Sequence, residues 1–163
     1  MVQSPAAKSG TYDYTAAIER AGSRTLAIDV ARAMADKKAE NVVVLEVARL
    51  IGITHYFVVG TARNRRQAQA ISDEIEVRCR AQGLKPYGLE GYRQASWILL
   101  DYQDVIAHVF VKEMRDYYDL ELHWGDAPRI DAGLPPEATS KEGRTDYEDS
   151  GAAWPVVNDD ESE

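Results

Sequence analysis

Between Ser96 and Phe110 the chain sets two apolar runs of strand length around a short polar break. The first is Trp97-Ile98-Leu99-Leu100-Asp101, the second Val105-Ile106-Ala107-His108-Val109-Phe110, with Tyr102-Gln103-Asp104 between them. That is the pattern of a β-hairpin. On its first strand Trp97, Leu99 and Asp101 share one face, and Ile98 and Leu100 the other. The second strand is apolar on both faces as well. Both sides of the hairpin therefore need cover, and a layered sheet-and-helix domain supplies it.

The rest of the chain provides the layers. Residues 1–22 are small, polar and aperiodic, and read as a flexible extension. From Ser23, a good N-cap, Leu26, Ala27, Val30, Ala31 and Met34 recur at helical spacing. Asn41 to Val47 is a β-branched run typical of a strand buried on both faces. Tyr56 to Thr61 reads as a second strand ending in a glycine turn at Gly60. Asn64 then caps a helix to Gln82 that carries Ala68, Ile71, Ile75 and Cys79 on one face, and Gly83 stops it. A strand near 85–91 completes a βαβ-type unit, expected to be right-handed. A charged helix from Lys112 to His123 follows the hairpin. The expected fold is α/β, a mixed β-sheet of about five strands flanked by helices.

With 163 residues the chain suits one domain, taken as 23–130. No apolar run reaches the roughly 20 residues of a membrane span, and the N-terminus lacks a signal-peptide core, so cytoplasmic residence is expected. The net charge of −8 is unevenly placed. From Asp131 onward ten acids face two bases, while the preceding residues hold 17 of each. Residues 131–163 read as an acidic disordered tail with an apolar island at Trp154-Pro155-Val156-Val157. A neutral body and an acidic tail leave little expectation of direct nucleic-acid binding.

The usual catalytic patterns are missing from the sequence. His55, His108 and His123 lie far apart and show no zinc-ligand spacing, and His108 alternates with Ile106 and Phe110 as a sheet histidine does. Cys79 shares its helix's core stripe, where cysteine acts as a small hydrophobe. Gly60-Thr61-Ala62-Arg63-Asn64 has neither a Walker lysine nor a Gly-x-Gly-x-x-Gly. With Arg63, Arg65 and Arg66 around a helix start, that turn reads as a solvated basic turn or an anion site. Asp101 and Asp104 flank the hairpin turn, where aspartate is common. No cofactor or metal is expected. The aromatics carry more information: Trp97 and Leu99, rimmed by Asp101, Tyr102 and Asp104, have the composition of an interface hot spot.

Several separated blocks carry a family likeness: Asp36 to Glu40, Ile53 to Val58, Gln67 to Ile75, Glu90-Gly91, Trp97 to Tyr102, Asp104 to Phe110, and Tyr118-Asp119-Leu120-Glu121 to Pro128. In this order they resemble the ribosomal silencing factor family, also called Iojap-like proteins, over about residues 24–130. The resemblance implies a nucleotidyltransferase-like fold without the catalytic carboxylates, and a protein that is not an enzyme. It implies binding to ribosomal protein fourteen of the large subunit, obstruction of small-subunit joining, and lowered translation under nutrient limitation. Some members form homodimers, so a second copy is a further implied partner. On this reading the contact residues are Trp97, Leu99, Asp101, Tyr102 and Asp104, joined by Tyr118, Glu121 and Trp124. The competing reading is a nucleotidyltransferase-like enzyme using Asp101, Asp104 and a metal.

The chain departs from the family pattern in places. Gln103 stands where the hairpin usually has glycine, the turn Ala62 to Arg66 is one residue longer than the commonest form, and Leu122-His123 precedes Trp124 where a basic residue is usual.

Overall fold

A computed structural model of the chain describes residues 14–139, with side chains from Gly22 onward except those of Arg49 and Ile51. The elements are α1 (Tyr14–Asp36), β1 (Glu40–Glu46), α2 (Ala48–Ile51), β2 (Tyr56–Ala62), α3 (Arg65–Ala81), β3 (Gly88–Glu90), β4 (Trp97–Asp101), β5 (Val105–Val111), α4 (Lys112–Tyr118), α5 (Leu120–His123) and α6 (Pro136–Thr139). Five strands form one sheet in the order β1-β2-β5-β4-β3. Only β2 and β5 pair in parallel; the other three pairings are antiparallel. The sheet is thus mixed, five-stranded and flanked by helices, as the pattern predicts. β2, α3 and β3 form the βαβ connection, but β5 and β4 lie between its two strands.

One sheet face is buried under the two long helices. Ala27, Val30 and Met34 of α1 and Ile71, Ile75 and Cys79 of α3 pack on Val58, Val109, Ile98 and Leu100. β2 continues through Gly60 to Ala62 instead of turning there. A Cβ at Gly60 would lie 2.6 Å from the Met34 sulfur, so glycine lets α1 approach the sheet. The cap of α3 matches the sequence reading: Asn64 accepts from the Gln67 amide, and Gly83 takes φ +81° beyond the helix end.

Four expectations need correcting. α1 starts at Tyr14, not at Ser23, because Ala16, Ala17, Glu19, Arg20 and Ala21 are good helix formers. Ser23 is consequently a buried residue inside the helix and not its cap. The helix expected over 112–123 breaks at Asp119, whose φ of 46° is the left-handed geometry that aspartate tolerates. The tail is not uniformly detached from Asp131, since Ala132 and Ala138 are buried and Leu134 packs on the main core.

The three residues 128–130, just ahead of that segment, seal β1. The Glu46 amide donates to the Pro128 carbonyl, the Ile130 amide donates to the Val44 carbonyl, and Arg129 bridges Leu45 in antiparallel fashion. Without that strap β1 would be an open sheet edge. The first 13 residues and the Trp154 island lie outside the described residues.

At the β4–β5 turn Gln103 adopts φ 74°, and its amide donates to Asp101 Oδ1 at 2.7 Å. A side chain in this region costs about 1–2 kcal/mol, partly offset because glycine loses about 0.5–1 kcal/mol more chain entropy on folding. Gln103→Gly is expected to stabilise the fold by about 0.5 kcal/mol, read as a higher urea midpoint at constant slope.

Candidate docking face

The sheet face opposite α1 and α3 has much lighter cover. Alternation along β2, β4 and β5 sends Phe57, Val59, Trp97, Phe110 and His108 to this side, where Met114, Tyr118, Leu120, Trp124 and Ala127 close over them. Two short helices cannot span a five-stranded sheet. Trp97, Leu99, Asp101 and Ile106 are left half-buried at their margin.

The aromatic rings form a continuous slab. Trp97 stacks on Phe110 at 4.9 Å and meets Tyr118 at 4.6 Å. Phe57 sits edge-on to His108 at 4.8 Å and to Trp124 at 5.6 Å. The Trp97 indole N–H donates to His108 Nδ1 at 3.2 Å, which fixes that nitrogen as the acceptor and puts the ring proton on Nε2. Burial, together with the nearby Arg115 charge, lowers the His108 pKa to about 3, so the imidazole stays neutral. His108 is therefore the hydrogen-bonded sheet histidine expected from its alternation.

Beneath α4 and α5 lies a buried ion pair. Arg115 donates from Nε and Nη2 to the two Glu121 carboxylate oxygens, at 3.0 and 2.9 Å, and from Nη1 to Thr61 Oγ1 at 2.7 Å. This fork joins both short helices to β2 and fixes their angle at Asp119.

The eight residues expected at a contact surface therefore divide. Trp97, Leu99, Asp101, Tyr118 and Trp124 lie on or beside the slab. Tyr102 does not: at 6% exposure it packs in the core under the long helices, and burial raises its phenol pKa. Glu121, 7% exposed, is spent on Arg115 and is not offered outward. Asp104 turns toward α1, where its Oδ2 accepts from the Ser23 hydroxyl at 3.1 Å; His55 Nδ1 lies 3.3 Å from the same hydroxyl. Asp101 and Asp104 are thereby committed to the turn and to α1 rather than to one another. Among the described residues no group of three or more His, Cys, Asp or Glu side chains gathers in a metal-holding arrangement. The sequence reading missed Phe57 and Arg115 in this region, and Tyr117 and Leu122, which α4 and α5 expose beside the slab.

A face of this kind offers contact area and shape, with its polar groups engaged in holding the rings. Comparison with known proteins shows the family. The profile described as "Ribosomal silencing factor during starvation" matches residues 20–154. The chain belongs to the ribosomal silencing factor family. It is 43% identical over 99 residues to the ribosomal silencing factor RsfS of Halalkalibacterium halodurans, covering 61% of this chain and 85% of that protein. The Bacillus subtilis RsfS is 39% identical over 101 residues, covering 62% and 86%. A crystal structure of a Chromobacterium violaceum protein superposes with TM-score 0.58 at 28% identity, covering 76% of this chain and 95% of that one. Among the described residues no helix is long and apolar enough to cross a membrane.

Proposed function

We propose that this chain is a cytoplasmic anti-association factor: it docks its aromatic slab on ribosomal protein fourteen of the large subunit, obstructs joining of the small subunit, and so represses translation when nutrients are limiting. The observation that carries this reading is the half-buried row Trp97, Leu99, Asp101 and Ile106, left at the edge of two short helices on an otherwise closed sheet. An apolar strip with a carboxylate at its end suits a partner that is apolar and basic, giving contact energy and charge steering together. Obstruction needs only bulk in the right place, so the reading is of a binding protein and not an enzyme.

Co-sedimentation with purified large subunits tests it, using protein stripped with EDTA and then desalted. Binding should persist, and metal-dependent nucleotide turnover by unbound protein would oppose the reading. Leu99→Asp combined with Asp101→Lys should weaken binding at least tenfold, because two central contacts are reversed in character. Circular dichroism should show the fold retained, since both side chains are only half-buried. Binding unchanged in this variant would place the contact elsewhere. Sedimentation of the chain alone reports whether it also pairs with itself.

A further inference from the structure

The even charge balance of the body hides a local concentration. Lys37 and Lys38 end the turn after α1, Arg63 follows β2, and Arg65 and Arg66 open α3. One side chain joins these three segments. Gln67 Nε2 donates to the Lys37 and Lys38 carbonyls at 3.0 and 3.1 Å, while its Oε1 accepts from the Arg63 amide at 2.7 Å. All five cations are exposed. Glu40 pairs with Arg63 at 3.2 Å, and the neighbouring Asp36 is engaged by Arg78. Lys37, Lys38, Arg65 and Arg66 have no carboxylate partner among the described residues.

We propose that Lys37, Lys38, Arg63, Arg65 and Arg66 form a corner that binds the phosphate backbone of structured RNA. Gln67 fixes the backbone of the Lys37–Lys38 turn against Arg63, so binding has to order side chains and not the segments that carry them. The α3 N-terminus adds positive potential. Its cap is closed internally by Asn64 and Gln67, so the phosphates meet side chains and not helix amides. Guanidinium and ammonium groups spread over three segments match a row of phosphates better than a single anion. Choosing RNA among polyanions rests on the ribosomal reading above. Register puts the corner at the Trp97 end of the sheet, because Ala62 pairs with Val111 and Trp97 with Phe110.

The test uses the full chain and a fluorescein-labelled RNA hairpin of about 20 base pairs, the length of a short A-form helix, followed by anisotropy from 50 to 200 mM KCl. Affinity should fall steeply with salt. Neutralising Lys37→Gln, Lys38→Gln, Arg65→Gln and Arg66→Gln together should cut affinity at least tenfold at 50 mM and flatten the log–log salt slope by about 3. Lys37→Arg with Lys38→Arg should retain binding. Affinity and slope unmoved by the neutralised variant would overturn the proposal. So would carbodiimide cross-links from Lys37 or Lys38 to carboxylates beyond Thr139 with RNA binding unmoved, which would assign the corner to the chain's own acidic segment. No ribosomal protein is present in this assay. Its failure leaves slab docking untouched, just as failed co-sedimentation of the Leu99 variant leaves the corner untouched.

Discussion

Glu121→Ala is expected to destabilise the fold by about 3–5 kcal/mol, among the largest effects of any single substitution in this chain. The reason is the charge left behind. Arg115 is 1% exposed, and the substitution strips its guanidinium of both carboxylate bonds while leaving it inside the protein. Thr61 still accepts one bond, but a neutral hydroxyl cannot balance a buried cation. Arg129 approaches Glu121 only to 3.9 Å and is half exposed, so its loss of partner adds little. Replacing both partners, Arg115→Met with Glu121→Leu, should recover most of the loss, since apolar side chains of similar volume can substitute for a buried pair. Urea unfolding of the two single variants and the double variant closes the cycle. Additive losses would show that the pair does not act as a unit.

Trp97→Ala is expected to cost about 2–4 kcal/mol, less than a fully buried tryptophan because its ring is half-exposed. It removes the stacks on Phe110 and Tyr118 and deletes the donor to His108 Nδ1. His108 Nε2 already lacks a partner, so the variant leaves both ring nitrogens unmatched in the interior. Trp97→Phe separates the two contributions. It keeps a stacked ring and loses the N–H, and about 1 kcal/mol is the expected cost. A Trp97→Ala midpoint equal to wild type would mean that the slab adds nothing to the fold. Weak subunit binding by Trp97→Ala therefore reports folding as well as contact, which makes Leu99 the cleaner probe of docking.

Much of the architecture was legible because alternation is a backbone property. Positions 97, 99 and 101 fall on one face and 98 and 100 on the other, and the structure keeps that division. The same parity, carried one step further, places Tyr102 with Leu100 in the core. Charge and composition at the turn pointed to the rim instead. Glu121 was misread for a different reason: an acidic residue on a short amphipathic helix looks solvated, and its partner Arg115 becomes a neighbour only because Asp119 bends the chain between them. The segment after Asp131 reads as solvated from its Pro, Gly and Glu content. What orders its first part is burial of Ala132, Leu134 and Ala138, which follow the pairing of Pro128 and Ile130 with the open amides and carbonyls of β1, a demand set by strand order. Strand order is not local. The order places β1 at one end of the sheet, paired only with β2, which makes it an outer strand needing a strap.

That strap bears on where this protein can be divided. The sequence blocks of family likeness end at Pro128, and a cut just ahead of it would leave the backbone groups of a valine-rich strand facing solvent. Two such molecules could zip together along β1, edge to edge, and the product would be an insoluble polymer of otherwise folded units. The shortest version of this protein with β1 covered thus keeps Pro128, Arg129 and Ile130, and those three residues serve as protection against self-assembly.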